Sequence, residues 1–406
     1  MSKTLVLLSL VNIYITTICT ANIANVQNDD IALDKIWQGS AEFTRNFLKL
    51  KTHENPGQSF IASPFSVLFP LAELTLYATG TAYDQLSNVL NIDNRNEIRQ
   101  GFRNILDNFG LSKNVRITLA QKVFGSLAFD FIDDFKYDTK VYFDAEAQNL
   151  DFNQNEQAAG IINDWVNTKT SGKIPELVKA NMLNSLTQMV LVNAIYFKGN
   201  WQTPFDPEDT KPGDFYVTKD EKITVNMMFK EGSFYYAENP ALQMKALELK
   251  YQDEDYSLLI VLPTSEDDYS VESLVDKIQD PNIFNGIIND LVLDGVEVHL
   301  PSIETTTTTD LKQILQGVNV TEIFNPDTTD ISGILEYRQP LYVTVAVQKA
   351  VLVINESGTE VSVANAVITD LRMGFVGNTV FNANRPFLYF VLYKRNVMFC
   401  GTYTGK

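Results

Sequence analysis

The stretch that decides the fold of this 406-residue chain lies near its C-terminus, where residues 341–370 read LYVTVAVQKAVLVINESGTEVSVANAVITD. Its first half, Leu341–Ile354, is apolar nearly throughout, as expected of a strand covered on both faces. Its second half, Asn355–Asp370, is small and weakly polar and alternates with a period of two. Leu371–Thr379 then reads as an exposed loop. The pattern fits an edge strand followed by a turn, and it equally fits a loop that can become a strand.

In the rest of the chain, the predicted helices lie mainly in the N-terminal half and the predicted strands mainly after it. Apolar residues recur near every 3.6 positions in Ile31–Leu50, which predicts a first helix. Ser63-Pro64-Phe65-Ser66 is typical of a helix start and leads into Val67–Leu76. Glu156–Thr170 is a third predicted helix, closed by Ser171-Gly172. Helices followed by strands, without repeated βαβ units, predict an α+β architecture. The other predicted strands are Gln188–Tyr196, Ala246–Tyr251, Tyr256–Pro263, Val296–Pro301 and Phe387–Tyr393.

Composition excludes several classes of function. The chain has 32 basic and 50 acidic residues, a formal net charge of −18, so a nucleic-acid partner is not expected and activation by a heparin-like polyanion is improbable. Its only cysteines and histidines are Cys19, Cys400, His53 and His299. No zinc spacing, phosphate loop, dinucleotide-binding glycine pattern or G-x-S-x-G motif is present. We therefore expect no metal, no cofactor and no enzymatic activity of its own.

The N-terminus reads as a secretory signal peptide. Lys3 is followed by the uncharged stretch Thr4–Ile18 and then by small residues, so residues 1–20 are predicted to be removed. A buried N-terminal helix is the alternative. Residues 21–406 then form a single secreted, monomeric domain with formal charge −19 and no membrane span. Removal of Cys19 leaves Cys400 without an intrachain partner, and we expect it to be a small core residue.

Six motifs, in the same order, resemble those of the serpin family of serine protease inhibitors. Together they extend over more than three quarters of the chain, which makes the resemblance specific although each motif alone is weak. They are Ser63-Pro64-Phe65-Ser66, Asn193–Gly199 followed by Trp201, Leu259–Pro263, Asp330–Gly333, Glu356–Glu360 and Phe381–Phe390.

The resemblance implies three β-sheets, eight or nine helices and an exposed reactive-centre loop at about residues 357–380. A target serine protease attacks this loop as a substrate and forms an acyl-enzyme. The cleaved loop then inserts as a new strand into the main sheet. The positions that match the family's shutter and breach regions, which control opening of that sheet, are Ser63, Pro64, Ser66, Asn193, Trp201 and Gln348.

The hinge of the loop matches the family with two departures, Ser357 in place of a usually charged residue and the valines that follow Glu360. Its residues are Glu356, Gly358, Thr359, Glu360, Val361 and Val363. Gly358 supplies flexibility, and insertion would bury the face that carries Thr359, Val361 and Val363. The family usually has alanines after Gly-Thr-Glu, and β-branched valines are stiffer. Slow insertion would leave the loop only a substrate, so a non-inhibitory carrier, storage or chaperone-like serpin is the alternative.

Two counts along the family pattern reach the same reactive bond. Sixteen residues after Glu356, and fourteen before Pro386, stands Arg372, so cleavage is predicted at Arg372–Met373. An arginine there fits the acidic specificity pocket of a trypsin-like protease. Leu371 or Phe375 is the second choice, for a chymotrypsin- or elastase-like enzyme.

Two sequons for N-glycosylation occur in the chain. One is at Asn319, and the other, at Asn355, adjoins the hinge and is expected to be unused because a glycan there could impede insertion.

Overall fold

The computed structural model describes residues 31–109, 112, 114–265, 269–327, 330–359 and 379–406. The predicted signal peptide (1–20), the hinge residues Glu360, Val361 and Val363, and the reactive bond Arg372–Met373 therefore lie outside the described residues.

Nine α-helices occur in the described ranges, most of them in the N-terminal half. All three helices predicted from the sequence are present, and Ser63 caps the N-terminus of the second helix, with Pro64 in its first turn. The helices are α1 (31–54), α2 (Pro64–Thr75), α3 (Gly80–Leu90), α4 (Arg95–Phe109), α5 (Asp133–Phe143), α6 (Asn155–Lys169), α7 (Glu272–Lys277), α8 (Pro281–Asn289) and α9 (Leu311–Gly317).

The strands follow the expected order, and β8 and β14 have the predicted bounds. They are β1 (Phe60–Ala62), β2 (Val115–Ser126), β3 (Glu146–Leu150), β4 (Met189–Asn200), β5 (Lys211–Tyr216), β6 (Lys222–Asn239), β7 (Met244–Lys250), β8 (Tyr256–Pro263), β9 (Val292–Pro301), β10 (Ile303–Asp310), β11 (Val343–Ile354), β12 (Gly358–Thr359), β13 (Thr379–Asn382), β14 (Phe387–Tyr393) and β15 (Asn396–Tyr403).

These strands form two hydrogen-bonded sheets. The first, which we call the main sheet, has the order β10-β11-β4-β2-β3, with β12 also paired to β4. The second runs β1-β15-β14-β8-β7-β6-β9-β13, with β5 paired to β6. Two of the three expected sheets are joined here because β6 is 18 residues long. It pairs with β5 along its first part, with β9 along its middle and with β7 at its end.

The main sheet is covered on both faces, which explains the apolar runs in its strands. Along β4, the odd-numbered side chains Met189, Leu191, Ile195 and Phe197 belong to the large core. The even-numbered Val190, Val192, Ala194 and Tyr196 pack with α6 residues in a second, smaller core. Helix α2 is buried along its whole length beneath the sheet.

The histidines and Cys400 have structural surroundings. His53 lies in the last turn of α1, where a Lys51–Glu54 ion pair spans three residues. His53 Nε2 lies 3.2 Å from Asp276 Oδ1, and His299 Nε2, in β9, lies 2.7 Å from Glu297 Oε1. Cys400 is buried in β15, and burial raises the pKa of its thiol.

No helix in the part of the chain that the structure describes has the length and apolar character needed to cross a membrane.

Candidate functional site

The hinge begins as a tight hairpin at the end of β11. The N–H of Asn355 donates to the Gly358 carbonyl at 2.8 Å, and the N–H of Gly358 donates to the Asn355 carbonyl at 3.1 Å. The Asn355 side chain accepts from the N–H of Ser357 at 3.0 Å and stabilises the turn. The chain therefore reverses direction directly after β11, and β12 runs antiparallel to β4.

Gly358 fits this hairpin because it has no side chain. Its φ angle is +139°, a region that other residues rarely adopt, and an added Cβ would lie 2.2 Å from the Gly199 carbonyl oxygen and 2.6 Å from Asn200 Cα. The close approach of β12 to β4 thus requires glycine at this position.

Trp201 anchors the hinge from the neighbouring strand. Its ring is buried and stacks on Tyr251, with 4.6 Å between centroids and 17° between planes. Its Nε1 donates to the Asn355 carbonyl at 2.8 Å, and its backbone N–H donates to the Ser357 carbonyl at 3.0 Å. Both ends of the turn are therefore held by one residue of the breach.

Glu356 is held by a loop that sequence reasoning did not identify. Thr210 Oγ1 donates to Glu356 Oε1 at 2.7 Å, and the N–H of Phe205 donates to the Glu356 carbonyl at 2.8 Å. Thr210 and Glu356 are 146 positions apart, and no local pattern in the sequence marks such a contact. These contacts fix the backbone at the entry to the reactive-centre loop.

The main sheet is forked at the hinge. Strands β11 and β4 are paired in parallel from Val343–Met189 up to Val351–Tyr196. Above that pair, β12 stands between them and pairs Gly358 with Asn200 and Thr359 with Gly199. The upper end of the sheet is thus already open by one strand, and its lower part is closed.

Below the fork, polar side chains join the two strands to α2, and they match the predicted shutter. Gln348 Nε2 lies 2.9 Å from Asn193 Oδ1 across the β11–β4 boundary and 2.8 Å from the Ser63 carbonyl. The N–H of Ser63 donates to Gln348 Oε1 at 3.0 Å. Asn193 Nδ2 donates to the Ser66 carbonyl at 2.9 Å, and Ser66 Oγ donates to Asn193 Oδ1 at 2.7 Å.

All of these shutter groups are buried. A buried polar group that loses its hydrogen-bond partner destabilises the folded protein. Separation of β11 from β4 would break the Gln348–Asn193 hydrogen bond, so this contact stabilises the pairing of the two strands.

The structure brings the predicted breach and shutter residues together with Glu356 and Gly358 along one boundary, that between β4 and β11. Among the described residues no group of three or more His, Cys, Asp or Glu could hold a metal ion. The arrangement places the start of an additional strand, Gly358–Thr359, beside β4 at the open end of the main sheet.

Comparisons with known proteins agree with this class. The family model described as Serpin (serine protease inhibitor) matches residues 38–405. The chain is 36% identical over 389 residues to antitrypsin of Bombyx mori, with 95% of this chain and 97% of that protein covered. Serpin48 of Tenebrio molitor, described as a highly specific serpin, superposes with a TM-score of 0.83 at 27% identity over 92% of this chain and 98% of that chain.

Human thyroxine-binding globulin in complex with its hormone superposes with a TM-score of 0.82 at 25% identity, over 92% of this chain and 99% of that chain. The chain belongs to the serpin family. It is thus related to inhibitors of serine proteases rather than to enzymes.

Proposed function

We propose that this serpin is secreted and inhibits a trypsin-like serine protease, which it traps covalently after attack at Arg372–Met373. The observation that carries the proposal is the forked main sheet, in which Gly358 and Thr359 already occupy the first positions of an additional strand. The arginine supports the choice of protease, because a guanidinium complements an acidic specificity pocket.

The chemistry belongs to the protease, and this chain supplies the substrate bond. The serine Oγ of the protease attacks the Arg372 carbonyl carbon, the peptide bond to Met373 breaks, and the Met373 nitrogen takes a proton and leaves as a new N-terminus. An ester then joins Arg372 to the protease. Water would hydrolyse that ester to the Arg372 carboxylate and free enzyme, so insertion of the loop must be faster than hydrolysis.

The register of β12 predicts how insertion proceeds. Continued along β4, residues 360 and 361 reach Lys198 and Phe197, which lie above the last β11–β4 pair. Ser362 is therefore the first residue whose entry breaks an existing pair, Val351–Tyr196. The first steps cost few hydrogen bonds, and later steps require the shutter to open.

The same register assigns the faces of the inserted strand. Directly opposed residues in a pair point to the same face, so Val361, Val363 and Val367 would join the large core beside the odd-numbered side chains of β4. Asn365 would stand between Asn193 and Gln348, where its amide can replace the hydrogen bond that insertion breaks. The valines of the hinge therefore favour the inserted state.

The experiment mixes the purified mature chain with trypsin near equimolar ratio and examines it by denaturing gel and intact mass. We expect a stable species of the summed mass and a released C-terminal peptide that begins at Met373. Cleavage after Arg372 with trypsin left fully active would contradict inhibition of this enzyme.

A matched pair of loop variants tests insertion separately from recognition. Val361→Glu places a carboxylate on the core-facing side, where it is costly to bury, and should convert the inhibitor into a substrate that is still cut after Arg372. Glu360→Ala changes the neighbouring residue on the opposite face and should leave trapping intact. Equal trapping by both variants would contradict the proposed register.

Secretion and glycosylation are further parts of the proposal. Chain recovered from the medium of expressing cells should begin near Ala21, and its mass should reveal a glycan at Asn319, which is exposed at the end of α9. Retention of residues 1–20 would contradict the signal peptide.

A carrier function is the second candidate. It is favoured by the similarity to thyroxine-binding globulin and by the stiffness of the β-branched side chains at 361 and 363, which slows entry of the loop although the inserted state buries them. Under it, the cleaved chain would release active protease and gain no thermal stability.

A further inference from the structure

Two positive side chains stand directly opposite each other on the main sheet, near its hinge end. Arg116 of β2 is paired with Lys198 of β4. Opposed residues of an antiparallel pair point to the same face, with their Cβ atoms about 5 Å apart, and like charges placed in this way destabilise a sheet. The next pair on that face joins Thr118 to Tyr196.

A third positive charge comes from the loop that follows α6. Lys173 Nζ lies 5.8 Å from the centroid of the Tyr196 ring. Lys173 and Arg116 are exposed, whereas Tyr196 is only 4% exposed and belongs to the smaller core beneath α6. Two strands and one loop therefore bring cations around one buried phenol. We call Arg116, Lys173, Tyr196 and Lys198 the β2–β4 cluster.

Two groups of this cluster lack partners within the described ranges. The Arg116 guanidinium has no ion pair or hydrogen bond there, unlike Arg99 and Arg103 on α4, which are bound by Asp138 and Asp107. The Tyr196 hydroxyl is buried and has no hydrogen-bond partner. Burial raises the pKa of Tyr196 to about 12, and the positive charge of Arg116 acts in the opposite direction, so the guanidinium lies within electrostatic reach of the phenol.

The acids on the same face of the described main-sheet strands lie away from the cluster. Glu146, bound by Lys122, and Asp310, which caps α9, are level with Val192, four positions below Tyr196 and thus about 13 Å away along the strand. Glu304 is on the edge strand β10, at least two strand spacings, or about 10 Å, from β4. The cluster is therefore a local excess of positive charge in a chain whose formal net charge is −18.

We propose that the β2–β4 cluster binds one tetrahedral dianion, a phosphate or sulfate group. A guanidinium can donate to two oxygens of such a group, and ammonium groups bind it as point charges. The phenol donates to a further oxygen. The anion removes the repulsion between Arg116 and Lys198 and gives the Tyr196 hydroxyl the partner that it lacks. This binding site is separate from the inhibitory activity and does not depend on it.

Calorimetric titration of the intact mature chain with inorganic phosphate tests the site. The titration is made at pH 8 and constant ionic strength, with chloride as the balancing ion, because general screening by salt must be separated from binding. We expect one phosphate per chain. Arg116→Gln should weaken the affinity at least about tenfold, because it removes the charged two-oxygen contact.

The matched control is Arg338→Gln. Arg338 is exposed before β11, at the opposite end of the main sheet, and its replacement changes the net charge by the same amount. This variant should bind phosphate as the wild-type chain does.

Tyr196→Phe separates binding from a structural role. Because the hydroxyl has no partner in the described structure, its removal should not lower the unfolding temperature of the chain without phosphate. It should nevertheless weaken phosphate binding severalfold and reduce the rise in unfolding temperature that phosphate causes. Comparison with phenyl phosphate identifies the source of the group: equal or tighter binding of the ester indicates an ester-borne group, and binding of the inorganic ion alone indicates a free anion.

Three outcomes would overturn the site. They are the absence of saturable binding of phosphate and sulfate to the wild-type chain, equal affinity of the wild-type chain and Arg116→Gln, and an equal loss of affinity in Arg338→Gln. If Arg116→Gln fails to fold, Arg116→Lys keeps the charge but loses the two-oxygen contact. It should weaken binding by a smaller factor, and an unchanged affinity would contradict the proposal.

Discussion

Gly358 occupies a backbone conformation and a space that no other residue can share. Gly358→Ala would combine an unfavourable φ of +139° with a contact of 2.2 Å to the Gly199 carbonyl, so β12 should leave the fork. We expect slower insertion and a severalfold higher number of inhibitor molecules consumed per trypsin trapped. Gly57→Ala is the control, because Gly57 has φ +70° but nothing within 4 Å of its added Cβ. If both variants consumed the same number of inhibitor molecules per trypsin trapped, the close approach of Gly358 to β4 would not matter for insertion.

Glu73 is a second residue whose surroundings determine a chemical property, the protonation state of its carboxyl group. It lies two turns after Ser66 in α2, it is buried, and neither carboxyl oxygen has a hydrogen-bond partner in the described structure. Burial raises its pKa to about 8. The carboxyl is therefore largely neutral at pH 7.

This burial predicts a pH dependence of stability. Between pH 4.5 and 8 the unfolded chain loses the Glu73 proton and the folded chain keeps it, so the free energy of unfolding falls as pH rises, by about 3 kcal/mol at pH 7. Glu73→Gln should remove this slope. Denaturant unfolding at pH 5 and pH 8 measures it, with Glu304→Gln, exposed on β10, as control. An unchanged slope in Glu73→Gln would contradict the assignment.

At the scale of elements, β4 and β11 share a buried polar boundary. Gln348 and Asn193 are hydrogen-bonded to each other only while these strands remain paired, although each also bonds to α2 or its cap. A polar group at that level of an inserted strand would restore the lost hydrogen bond, and a typical hydrogen bond contributes about 0.5–1.5 kcal/mol. The register assigns that role to Asn365.

Asn365→Leu should therefore lower the unfolding temperature of the cleaved chain and leave that of the intact chain unchanged. The reason is that residue 365 meets Asn193 and Gln348 only after insertion. Asn365→Ser keeps a hydrogen-bonding group and should recover part of the loss. Thermal unfolding of both forms measures the effect, and an equal shift in intact and cleaved protein would refute the register.

At the scale of the whole molecule, insertion adds a strand between two neighbours that then both pair with it. Burial of Val361, Val363 and Val367 alone contributes roughly 1.5–3 kcal/mol each. Cleavage after Arg372 should therefore raise the unfolding midpoint on the order of 10 °C or more. Calorimetry of cleaved and intact protein tests this, and cleaved Val361→Glu should gain much less. An unchanged wild-type midpoint would favour the carrier function.

The sequence predicted much of this molecule where burial leaves a local pattern. Continuous apolar runs located β8 and β14 at their observed bounds, because strands covered on both faces contain few polar residues. Ser63 and Pro64 marked the start of α2 through capping, which is also a local interaction. The end of β4 was misplaced by four residues, at Tyr196 instead of Asn200, because beyond the fork its partner is β12 and not β11.

By itself, then, the sequence determined the α+β class, the order of the serpin motifs, and the residue types at the hinge and shutter. Only the tertiary structure decided that Trp201 and Thr210 hold the hinge and that Gly358 leaves no space for a side chain. It also decided that the main sheet is open above Val351. The physical reason is the distance along the sequence over which each kind of interaction acts. Periodicity and capping depend on neighbours within a few residues, whereas Thr210 and Glu356, 146 positions apart, meet only because the whole sheet packs first.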